Sequence, residues 1–96
     1  MSQADVGLLT REFEIVNRRG LHARATAKFV QCVETYDAAV TVMRNGDTVG
    51  GTSIMGILTL GAGIGSTIVV TAQGPQAEAV LDAIAALVAG KFGEED

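Results

Sequence analysis

The chain has 96 residues, 48% of them apolar: enough for one small domain with one core, and too apolar for a disordered segment. Its net charge of −4 and scattered aromatics (Phe13, Phe29, Phe92, Tyr36) argue against a nucleic-acid binder, and no apolar run approaches the roughly 18 residues needed to cross a bilayer. One cysteine and one histidine supply neither a disulfide nor a zinc cluster, which fits the cytoplasm, and Met1–Thr10 lacks the basic cap and apolar stretch of a secretory signal.

Leu9–Val16 alternates, with Leu9, Arg11, Phe13 and Ile15 on one face, and predicts a strand with one buried side. Asn17–Gly20 reads as a loop. Ala23–Glu34 lacks Pro and Gly, and Ala25, Phe29, Cys32, Val33 and Tyr36 recur at helical spacing, predicting an amphipathic helix with Cys32 as a small core residue. Ala39–Arg44 predicts a second strand. Asn45-Gly46 is a tight-turn signal, and Thr48–Gly50 returns as a third strand. Ser53–Leu60 predicts a short helix with Ser53 near its start. The glycines of Gly61–Gly65 form a connection, not a phosphate-binding P-loop, because no Gly-Lys-Ser/Thr follows. Thr67–Ala72 predicts a fourth strand with Ile68, Val70 and Ala72 inward. Gln76–Ala89 predicts the last helix, with Pro75 in its first turn and Gly90 as its C-cap.

The order β-α-β-β-α-β-α, with one apolar face per element, predicts an α+β fold: an antiparallel sheet with its helices on one side. The expectation is one domain over residues 1–96, ordered over about residues 8–92, with the acidic end Glu94-Glu95-Asp96 frayed and solubilising.

The acidic total hides a local asymmetry. Between Ile15 and Val30 lie Arg18, Arg19, Arg24 and Lys28 and no acid, with His22, the chain's only histidine, among them. Such a patch attracts anions or an acidic partner face. His22 falls just before the first helix, where the amides of Ala23 and Arg24 and the helix dipole can hold an anion. Arg24 can grip phosphate oxygens in a fork, and Gly20 lets the loop turn before the histidine. A neutral imidazole is a competent nucleophile near pH 7, so His22 can accept a phosphoryl group whose charge these donors meet, with no metal required. The alternative is a small α+β partner-binding domain in which His22 only caps the helix and Arg24 is a surface charge. Ser53 suits an N-cap. Because Ile54, Met55, Ile57 and Leu58 are too many apolar residues for so short a helix to bury, some of them form an exposed docking patch; the alternative is a plain N-cap serine followed by core residues.

Gly20-Leu21-His22-Ala23-Arg24 before a helix, in a chain of this length, resembles the histidine-containing phosphocarrier (HPr) family of the phosphoenolpyruvate-dependent phosphotransferase system. Thr52-Ser53-Ile54-Met55-Gly56 resembles that family's regulatory serine segment, and the element order resembles its open-faced β-sandwich, a four-stranded antiparallel sheet with three helices on one face. The likeness spans about Leu9 to Phe92. It implies that enzyme I, charged by phosphoenolpyruvate, phosphorylates His22 on Nδ1, and that His22 passes the group to an enzyme IIA protein. It implies that Arg24 stabilises the phosphate, that Ile54, Met55 and Leu58 dock partners, and that an HPr kinase/phosphorylase acts on Ser53. The implied protein is a cytoplasmic, monomeric carrier, not an enzyme, with no cofactor and no membrane insertion. The Asn17 loop, Tyr36-Asp37-Ala38 and Gly74-Pro75 resemble a nitrogen-related branch, so a regulatory carrier uncoupled from sugar uptake is the alternative within the family. One residue departs from the family pattern: Ala25 stands where a proline usually follows the motif arginine, a loss of at most about 1 kcal/mol of stability that could still alter transfer rates.

Overall fold

A computed structural model describes residues 8–94; residues 1–7, where a secretory signal was sought, and the tail acids Glu95 and Asp96 lie outside the described residues. The elements run β1 (Leu9–Glu14), α1 (Ala23–Glu34), β2 (Ala39–Arg44), β3 (Asp47–Gly50), α2 (Ile54–Thr59), β4 (Thr67–Gln73) and α3 (Ala77–Ala89), followed by a 3-10 turn at Lys91–Gly93. The four strands form one antiparallel sheet in the order β1-β4-β2-β3. Alternation decides which face is covered: Phe13, Val40, Val42, Ile68, Val70 and Ala72 point into the core, while Thr10, Glu12, Glu14 and Met43 stay exposed. Helix α1 adds Ala25, Phe29 and Val33 to that core, and α3 adds Val80, Leu81, Ile84 and Val88. The result is the predicted open-faced sandwich. No described helix is long and apolar enough to cross a membrane.

Several boundaries differ from the sequence reading, each for a local reason. β1 stops at Glu14, not Val16, although Ile15 still pairs by donating to Ser66 O and accepting from Gly65 N, both at 2.8 Å. Asn17, with no exposed surface, then bends the chain inward. β3 gains Asp47 because Asn45 and Gly46, at φ 54° and 85°, make a two-residue turn that pairs Arg44 with Asp47. β4 extends to Gln73, which pairs with Ala39. Pro75 does not enter the first turn of α3. Gln76 is the cap, held off helical geometry by two bonds to Asp37: Gln76 N donates to Asp37 O at 3.0 Å, and Asp37 N donates to Gln76 Oε1 at 2.7 Å. Gly90 caps α3 as predicted, but without a left-handed conformation. Left-handed backbone comes one residue later and folds Phe92 into the core. Cys32 is half-buried at the edge of the core, not inside it.

Candidate functional site

The loop before α1 is fixed from both sides. Gly20 turns at φ 65°, donating to Asn17 O at 3.2 Å while its carbonyl accepts from Asn17 Nδ2 at 2.8 Å. Leu21 is buried and donates to Ala62 O at 2.9 Å, which anchors the loop to the segment after α2. His22 follows in extended backbone as the N-cap of α1, half-buried, with its carbonyl accepting the first helical bond from Thr26 N at 2.8 Å. The Arg24 amide donates to His22 Nδ1 at 3.2 Å. An amide can donate only to a nitrogen that carries a lone pair, so the neutral ring holds its proton on Nε2 and keeps Nδ1 unprotonated beside the helix start. The contact is long, which makes it easily exchanged for a better acceptor. The first-turn amides of Ala23, Arg24 and Ala25 have no acceptor inside the helix. Ala25 thereby contributes an N–H that a proline would lack.

A cleft of about 300 Å³ opens beside the ring, lined by His22, Arg19, Arg24, Ala25 and Lys28, and on its far wall by Phe92, Gly93 and Glu94. An adjoining hollow is lined by Arg19, His22, Ala23 and Arg24. Arg24 is exposed, and among the described residues neither Arg19 nor Arg24 has a hydrogen-bonded or ion-paired side-chain partner. Lys28 Nζ donates to Phe92 O at 2.7 Å, and Glu94 accepts from Asn17 Nδ2 at 2.6 Å. Among the described residues, three cations against one carboxylate make this an anion-attracting cleft, and the guanidinium groups of Arg19 and Arg24 are placed to hold phosphate oxygens. The other soft nucleophile does not compete: burial pushes the Cys32 thiol up, so it stays protonated at neutral pH.

The structure therefore brings His22, Ala23 and Arg24 together and places the second group of candidates apart. Ser53 is the N-cap of α2, its Oγ accepting from Gly56 N at 3.1 Å. Gly56 is required there, since a Cβ would lie 2.7 Å from Ser53 Oγ and 2.9 Å from Val49 Cβ. Ile54 and Met55 are exposed, Met55 at 70%, whereas Leu58 is half-buried and Ile57 belongs to the core. None of these α2 residues lines the His22 cleft. The sequence reading singled out Arg19 and Lys28 only as members of a charge cluster. It missed the wall built by Phe92, Gly93 and Glu94. An aromatic residue beyond a helix C-cap was the available signal, because it needs somewhere to be buried.

A family model described as the PTS HPr component phosphorylation site matches residues 9–90. The phosphocarrier protein HPr of Cupriavidus necator is 45% identical over 87 residues, spanning 91% of this chain and 98% of that protein. The phosphocarrier protein NPr of Shewanella violacea is 41% identical over 86 residues, spanning 90% of this chain and 94% of that protein. Among solved structures, an HPr from Thermoanaerobacter tengcongensis superposes with a TM-score of 0.87 at 36% identity, covering 92% of this chain and 99% of that one.

Proposed function

The chain belongs to the HPr family of phosphocarriers of the phosphotransferase system, and on that premise we propose that it accepts a phosphoryl group from phospho-enzyme I on His22 Nδ1 and delivers it to an enzyme IIA protein. The observation that carries this reading is the Arg24 amide donating to Nδ1 at the start of α1. In the step, the Nδ1 lone pair attacks phosphorus, the Nδ1–P bond forms as the donor's bond to phosphorus breaks, and the proton stays on Nε2. The amide released by Nδ1 then finds a phosphoryl oxygen, a stronger acceptor placed at the same helix end. Arg24 supplies a fork for the equatorial oxygens, where charge resides during transfer. Departure to the acceptor reverses the exchange. The chain acts as a covalent relay in the cytoplasm, as a monomer, and carries no cofactor of its own.

The test is incubation of the full chain with enzyme I, magnesium and phosphoenolpyruvate. One acid-labile phosphate per chain is the expected product, and no label would end this reading in favour of a partner-binding domain. For Arg24→Ala we expect acceptance about tenfold to a hundredfold slower by rapid quench, since one charged donor to the transition state is lost. Its melting temperature should not move, because the side chain is exposed and has no hydrogen-bond or ion-pair partner among the described residues; an unchanged rate would remove Arg24 from the site.

Similarity to both an HPr and an NPr supports two branches, sugar-linked and nitrogen-related. Phosphate transfer onto sugar-type and nitrogen-type acceptors separates them. We also propose that Ser53 is a target of an HPr kinase/phosphorylase and that Ile54, Met55 and Leu58 form part of the docking face. A phosphate on Ser53 Oγ would sit at a helix start without melting it and would place a dianion among exposed apolar contacts. Ser53→Asp should therefore weaken pairing with enzyme I by about tenfold at unchanged stability, read as KM for the carrier in the enzyme I assay. Normal transfer by this variant would count against the serine role.

A further inference from the structure

Asn17 has no exposed surface and spends both hydrogens of its Nδ2, one within its own loop on Gly20 O at 2.8 Å and one 77 positions away on Glu94 Oε1 at 2.6 Å. Among the described residues its buried Oδ1 has no partner. A side chain kept inside a core with an unsatisfied acceptor is being used for its donors. Those donors join the loop that leads into His22 to the turn that follows α3. That turn is strained, with Lys91, Phe92 and Gly93 at φ 57°, 55° and 76°, two of them non-glycine. Burial of Phe92 and the bond from Lys28 Nζ to Phe92 O hold it in place. The consequence is that, among the described residues, Glu94 is the one carboxylate lining a cleft otherwise flanked by Arg19, Arg24 and Lys28 beside the His22 ring.

We propose that Asn17 and Glu94 form a charge-sensitive latch, closed in the empty carrier and released when a phosphoryl group arrives on His22. The proposal rests on the reading of His22 as the acceptor. In the empty protein the cationic cleft favours the Glu94 carboxylate. A phosphoryl group brings roughly 1.5 to 2 further negative charges into the same cleft and competes for the same cations. Glu94 is only half-buried and has water to move into. A carrier must be recognised empty by its donor and loaded by its acceptor. The latch would give those two forms different surfaces beside the histidine.

The experiment is amide hydrogen exchange on the full chain, read at Gly93 and Glu94, whose N–H groups donate to Gly90 O at 3.0 Å and Lys91 O at 2.9 Å. Phosphoramidate supplies the charge without any partner enzyme: its P–N bond breaks, an imidazole nitrogen–phosphorus bond forms, and ammonia leaves. His22 is the only histidine, and a mass increase of one phosphate verifies loading. Both amides should exchange about tenfold faster in the loaded chain. In Glu94→Gln, which retains an acceptor for Asn17 but no charge, loading should produce no acceleration. Equal exchange in the empty and loaded wild type, or equal acceleration in Glu94→Gln, would overturn the latch. Because loading is chemical, a chain that proves inert toward enzyme I still gives this readout, so the two failures are distinguishable.

Discussion

His22→Ala should take up no phosphate from enzyme I and phosphoenolpyruvate, while its circular dichroism and sheet packing stay native. The side chain performs two separable tasks. Its Nδ1 accepts from the Arg24 amide as a helix cap, and the same lone pair is the proposed nucleophile. Removing the cap costs about 1 kcal/mol, a modest part of a small domain's stability. His22→Asn distinguishes the tasks, since asparagine is a favourable N-cap but carries no nucleophilic nitrogen. The expected outcome is a melting temperature equal to or above that of His22→Ala, with labelling absent in both. A phosphate retained by either variant would place the acceptor elsewhere.

The largest effect on stability should come from Gly20→Ala. Gly20 sits at φ 65°, where a Cβ alone costs roughly 1–2 kcal/mol. That Cβ would also lie 2.5 Å from Ala62 O and 2.7 Å from Gly63 Cα, both main-chain atoms with nowhere to yield. Pushing them apart breaks the bond from Leu21 N to Ala62 O and withdraws the buried Leu21 from the core. We expect a total loss of about 3 kcal/mol, and a fall in melting temperature of more than about 10 °C. Phosphoryl acceptance should fall with it, because the displaced loop carries His22. Gly63→Ala is the matched control. A Cβ there meets nothing within 4 Å, so its melting temperature should stay within about 2 °C of wild type. Similar melting temperatures for the two variants would refute the close approach of these loops.

The local features of the site were legible because they depend on neighbours in sequence. The alternation of Phe13 and Ile15 and the stripe Val80, Leu81, Ile84 and Val88 define buried faces through the periods of strand and helix. Asn45-Gly46 defines its turn through the conformations its residues tolerate, and the position of His22 at a helix start follows from the apolar pattern that begins at Ala25. Even the misplacement of Pro75 shows the limit of such reasoning. A first-turn preference is local, and it lost to the pair of bonds between Gln76 and Asp37, which join residues 39 positions apart.

What folding alone decided is the environment around the imidazole. No short window of sequence connects Asn17 with Glu94, 77 positions away, or Lys28 with the carbonyl of Phe92. These contacts exist because α1 and α3 pack side by side on one sheet face, which brings the chain's end to the beginning of the first helix. Residue order determined the elements, their inward faces and the place of the histidine at a helix start, since short-range periodicity and backbone preference encode those directly. The shape and charge balance of the cleft arose only once remote segments met, because a contact between them is a property of packing and not of either segment by itself.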